Sequence, residues 1–178
     1  MLPHFIVNLT RRSSRPLNAA AERSVRCLMC QWDRSEITEK VRISADNFGA
    51  SDQRQTDELV RGCRESKERE VFFGLFTFFY DESIQQNQYD RQQLAGNILF
   101  SVLPRSPLAL DGSVYAAAQF WNNCEKELPW YWCEVYGQKA VVGFLAELIP
   151  DCAEMKLRKT VEAMLTWCEN YGQKTPNK

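Results

Sequence analysis

The sequence predicts a mainly α fold: antiparallel helix pairs with a partial internal repeat, a helical-repeat-like bundle, with a short β element left open at 40–44 or 71–80. Three observations lead there. Apolar residues recur at spacings of three and four along most of the chain, the period of one helix face. Helix starts and stops punctuate those stretches, with Ser14 ahead of Pro16, Asp151 after Pro150, and Gly137 and Gly172 after apolar runs. Finally, the octet "WCEVYGQK" at 132–139 returns as "WCENYGQK" at 167–174, thirty-five residues later, with seven of eight positions identical. That offset is about one two-helix unit.

Residues 1–15 carry Arg11, Arg12 and Arg15 with no acid, which reads as a flexible basic arm; a mitochondrial presequence is the alternative. In 16–32, Leu17, Ala21, Ser24, Val25, Leu28 and Trp32 make one apolar stripe, so an amphipathic helix is expected. Segment 33–44 is ambiguous: Ser35, Thr38 and Glu39 suit a helix start, whereas "KVRIS" alternates like a strand. "ADNFGASDQ" (45–53) has loop composition. A second helix starts from Asp57 and can run through "RESKERE" into "VFFGLFTFFY" at 71–80. That run is apolar on every face, so a buried strand competes; the helix-forming flank before it favours helix.

After a polar connection, 90–103 is expected to be a helix that stops at Pro104, followed by a Pro-rich loop. Residues 112–128 read as another helix with Val114, Ala117, Ala118, Trp121 and Cys124 on one stripe. In the last helix, from Asp151 to Tyr171, Leu157, Val161, Met164, Leu165 and Cys168 lie on one side and Gly172 ends it. Carried to the first copy of the octet, this makes Gly137 a helix stop, so 129–136 and 138–149 become two helices. The domain is expected to span 16–172, with 173–178 a frayed tail.

Composition excludes several functions. The formal charge is -1 and the aromatic-rich part, 71–171, carries 7 basic against 12 acidic side chains, a balance that disfavours nucleic acid as a partner. No apolar run reaches the ~18 residues of a membrane helix. Seven Cys, an odd number set mainly in helix-like segments, suggest a reducing compartment, so a soluble cytoplasmic protein is expected. With His4 the only histidine, Ser-His-Asp and Cys-His machinery and histidine-based metal centres lack their key residue. Cys27 and Cys30 form a C-x-x-C, a weak metal or redox candidate with no second pair to complete a zinc set. No cofactor is implied. Asp81 and Glu82, after the aromatic run, either act as acid or base or simply cap a helix end.

The remaining candidate is "ELPWYWCEVYGQK" at 127–139. Trp130, Tyr131, Trp132 and Tyr136 cannot all face inward from so short a helix. Trp130 and Tyr131, which the second octet does not share, are expected at a protein-binding surface rimmed by Glu125, Glu127 and Glu134. The expected function is non-catalytic binding of another protein, most concretely as an inhibitor or immunity-type protein. A His-independent enzyme using Asp81, Glu82, Glu134 or Cys133 is the alternative, and the C-x-x-C module a third.

Overall fold

The computed structural model describes residues 31–173, and among these the only regular secondary structure is helical, with no strand. The expected arm at 1–15, nearly all of the helix at 16–32, the Cys27–Cys30 pair and most of the tail lie outside the described residues.

Helix α1 (Arg34–Phe48) shows how local chemistry settles the ambiguous segment. Asp33 is its cap: the Asp33 carboxylate accepts from Glu36 N at 2.9 Å, and Glu36 accepts from Asp33 N at 3.0 Å. This reciprocal pair fixes the start two residues before Ser35, so Trp32, expected inside a helix, precedes one instead. Ile37, Val41, Ser44 and Ala45 are buried at helical spacing, which leaves no strand at 40–44; four of the nine residues expected to form the loop at 45–53 belong to this helix. Gly49, at φ 72°, terminates it.

Asp52 then caps α2 (Gln53–Arg64), which starts four residues before Asp57 and does not continue into the aromatic run. The run forms α3 (Glu68–Phe76) and a 3-10 turn (Thr77–Phe79). Its apolar composition on every face follows from enclosure: Phe72, Phe76, Phe78 and Phe79 are all buried, and α3 lies between α1 and the central helix. Gly74 makes the α1–α3 crossing close, because a Cβ there would sit 2.8 Å from Ile37. A strand at 71–80 is thereby excluded.

The central helix α4 (Gln88–Val102) packs against α1, α2, α3 and α6 (Glu127–Trp132). Its buried polar residues join distant loops. Arg91 grips Asp46 through two bonds, at 2.6 and 2.8 Å, and Gln92 bonds Phe78 O and Phe120 O at 3.0 and 2.7 Å. Helix α5 (Leu110–Ala117) follows, and here the structure departs from the expected helix at 112–128. The chain turns at Ala118 to Phe120, and α6 begins only at Glu127. Val114, Ala117, Ala118 and Trp121 are buried as the stripe predicts, but Cys124 is exposed.

Helix α6 passes through a π-helical turn (Cys133–Gly137) into α7 (Gln138–Leu148), which pairs with α8 (Met155–Glu169). Gly137 has φ 88° and Gly172 φ 76°, so both octets do end in the backbone conformation that favours Gly. The octets are nonetheless not two stacked repeats. Trp132 is fully buried and donates to Ser113 Oγ, whereas Trp167 is half-buried and donates to Asn123 O.

Candidate functional site

The expected aromatic surface is not built. Tyr131 points into the core with no exposed area, its hydroxyl donating to Pro104 O at 2.7 Å and its ring 6.3 Å from Phe72. Burial holds the Tyr131 phenol well above its ordinary range. Trp130 is half-buried: its indole N–H donates to Trp167 O at 3.1 Å, and its ring contacts Phe100, Tyr171 and the Lys126 ammonium. The acidic rim is absent too. Glu125 and Glu127 are buried, and only Glu134 is exposed, where it accepts from the Tyr171 hydroxyl. Neighbours on two sides solve the crowding of four large aromatics on one short helix: Trp132 and Tyr131 turn to α5 and the Pro104 loop, Trp130 turns to α8, and Tyr136 reaches Leu108 O at 2.8 Å.

Glu125 is the most perturbed carboxyl of the described residues that is also fully enclosed. It is 1% exposed, and a Cβ on Gly96 would lie 2.1 Å from its Oε1. Burial pushes the carboxyl up to about 8, the Glu127 charge adds to this, and bonds from Trp121 Nε1 (2.7 Å) and Leu128 N (2.8 Å) oppose it. Its bonds run to Trp121 in the preceding loop and to Leu128 in the first turn of α6, so Glu125 ties that loop to the helix. Glu127 accepts from Gln93 at 2.8 Å. Of the two roles open to Asp81, acid or base and helix-end cap, it takes the cap: it caps the turn at Glu82–Ile84, and its bonds to Ser83 hold it below its ordinary range. Asp81, Glu82, Cys133 and Glu134 are not gathered in any of the clefts described next.

One surface concavity lies where the expected helix breaks, and a more open one of about 490 Å³ lies over Arg34, Thr38, Glu70 and Thr77. The loop 118–123 and the first half of α8 bound two adjoining clefts of about 380 and 400 Å³ that share Gln119 and Lys156. One end carries the apolar side chains Tyr115, Phe120 and Leu157, with Glu154 beside them; Tyr115 is 53% exposed. The other end presents Gln88, Asn122 and Asn123 with Lys156 and Lys159. The loop backbone is held from beneath. Gln92 donates to Phe120 O and accepts from Asn122 N at 2.7 Å, Gln88 also donates to Phe120 O, and the buried Trp121 ring is pinned by Glu125. The groove is therefore pre-shaped, and little ordering is needed to fill it. None of its side chains was singled out as a site from the sequence; the turn-forming pair Asn122–Asn123 inside an apparent helix was the available signal.

A smaller cleft of about 260 Å³ lies between α1 and α2, with Ile43 and Phe48 exposed beside Trp32. No group of three or more His, Cys, Asp or Glu among the described residues is placed to hold a metal ion, and no described helix is long and apolar enough to cross a membrane. Comparison with protein-family models, curated proteins and solved structures finds no match to any of them.

Proposed function

We propose that this chain is a protein-binding domain, an inhibitor-type module, whose working surface is the groove between the 118–123 loop and α8. The occupant is an extended acidic segment of another protein that carries one bulky apolar side chain. The observation that carries this reading is the groove's polarity: Tyr115, Phe120 and Leu157 gather at one end, with Glu154 as its one acid, and Lys156 and Lys159 with the amides of Gln88, Gln119, Asn122 and Asn123 run along the other. An apolar anchor beside a charged end fixes both direction and register of a bound peptide. The loop backbone is already bonded to Gln88 and Gln92, so binding would immobilise few groups.

Selection from a displayed library of random peptides tests the reading without knowledge of the partner. It predicts enrichment of acidic peptides with one aromatic or large aliphatic residue, and binding that weakens with salt. Lys156→Glu with Lys159→Glu should weaken binding at least about tenfold, as should Tyr115→Ala, while the thermal transition stays in place. Selected peptides without acidic residues, or peptides whose binding all three substitutions leave intact, would remove this groove as the working surface.

A further inference from the structure

The two octets that echo each other in sequence meet in space, and their cysteines touch. Cys133 directly follows α6 and Cys168 lies in the last turn of α8; the Cys168 thiol reaches Pro129 O, the carbonyl that also accepts from Cys133 N, so the two thiols lie side by side. The surrounding bonds hold the elements in this pairing: Trp130 donates to Trp167 O, Gln138 to Cys168 O at 2.8 Å, and Tyr171 to Glu134. Both cysteines are free thiols, and they are the described pair whose sulfurs meet. The remaining described cysteines, Cys63, Cys124 and Cys152, make no such pair.

We propose that Cys133 and Cys168 form a redox modification site, closed by a hydroperoxide into an intramolecular disulfide that ties α6 to α8. The two thiols have different roles. Cys133 is 4% exposed and Cys168 has no exposed area, so the oxidant meets Cys133 first. The Cys168 S–H donates to Pro129 O at 3.6 Å. The neighbouring sulfur lowers the Cys133 thiol, and that same contact together with burial holds Cys168 up.

In the first step the Cys133 thiolate attacks one peroxide oxygen, and an S–O bond forms as the O–O bond breaks. Sulfur loses two electrons to become sulfenic acid, and the departing hydroxide takes up the proton that Cys133 released, leaving as water when the oxidant is hydrogen peroxide. In the second step the Cys168 sulfur attacks the sulfenic sulfur. The S–S bond forms, the S–O bond breaks, and hydroxide leaves with the Cys168 proton as a second water. One peroxide is thus reduced to two waters while two thiols become one disulfide. The reverse step requires a dithiol reductant.

Peptide mapping of the folded full-length protein tests this, because tryptic cleavage places Cys133 alone in 127–139 and Cys168 alone in 160–174. After brief treatment with hydrogen peroxide, then denaturing alkylation of the remaining thiols, these two peptides should appear disulfide-linked and separate on reduction. Dimedone, which traps sulfenic acid, should label Cys133 in a Cys168→Ser variant and leave Cys168 unlabelled in a Cys133→Ser variant. The wild-type mapping stands even if either variant fails to fold. Linkage of other cysteines without this pair, linkage that forms only after unfolding in urea, or dimedone labelling of Cys168 in the Cys133→Ser variant would overturn the proposal.

Discussion

Raising the pH from 5 to 8 should destabilise this protein through one side chain, Glu125. The carboxyl is enclosed by Gly96, Trp121 and Leu128, with only two N–H donors replacing the several waters it has when unfolded. Burial therefore lifts it from an ordinary 4.5 to about 8. The folded form holds its proton more tightly than the unfolded chain, so this contribution is fully present below pH 4.5 and is lost as pH rises through 8. Within that window the slope approaches about 1.4 kcal/mol per pH unit, which sums to on the order of 3 kcal/mol between pH 5 and 8. Domains of this size are stable by only about 5–15 kcal/mol, so the loss is large enough to measure. The carboxylates held low by hydrogen bonds or ion pairs, Asp33, Glu39, Asp46 and Asp81, act in the opposite sense and below about pH 4, outside the window. Urea titrations at pH 5, 6, 7 and 8, followed by Trp fluorescence, give the slope directly. Glu125→Gln should flatten it, even though its amide meets an N–H donor at one position and costs about 1 kcal/mol at low pH. A wild-type profile as flat as that of the variant would refute burial as the dominant influence on Glu125.

Two further substitutions probe the backbone and the core of the first octet. Gly137→Ala meets no atom within 4 Å, so any cost reports conformation alone; at φ 88° it should destabilise by about 1–3 kcal/mol in urea titrations, and a loss near zero would show that the turn relaxes. Tyr131→Phe removes the bond to Pro104 O and leaves that carbonyl unpaired, so unfolding should show a loss of about 1–2 kcal/mol while peptide capture in the α8 groove stays unchanged. Altered capture would bring Tyr131 back as a binding residue.

Much of the architecture was legible in the chain because it depends on near neighbours. Helix periodicity, the Gly residues after apolar runs and the break at Gly137 are set by interactions within about four residues, whereas Asp151, expected to start the last helix, closes a 3-10 turn and α8 begins only at Met155. The octet echo also pointed to Cys133, Cys168, Gly137 and Gly172 as equivalent packing positions, although it could not say that the two copies face each other. Where short-range rules conflict, neighbours remote in sequence decide. "KVRIS" is helical because α3 lies against the buried face of α1 and the Asp33–Glu36 box sets its start. The aromatic run is enclosed by α1 and α4, which makes its lack of a polar face acceptable in a helix. The apparent helix at 112–128 breaks because Gln88 and Gln92, about thirty residues earlier, hold Phe120 O and Asn122 N in a turn.

The surface followed the same division. That four large aromatics cannot share one side of a short helix is a matter of helical geometry, and the sequence alone determined it. Which of them stay exposed depends on what covers the other sides. Pro104, Ser113 and Trp167 supply partners for Tyr131, Trp132 and Trp130, and these pairs span 27, 19 and 37 residues. Tertiary structure therefore moved the candidate site from Trp130 and Tyr131 to Tyr115, Phe120, Leu157, Lys156 and Lys159. A groove is a gap between elements distant in the chain, and no local pattern encodes it.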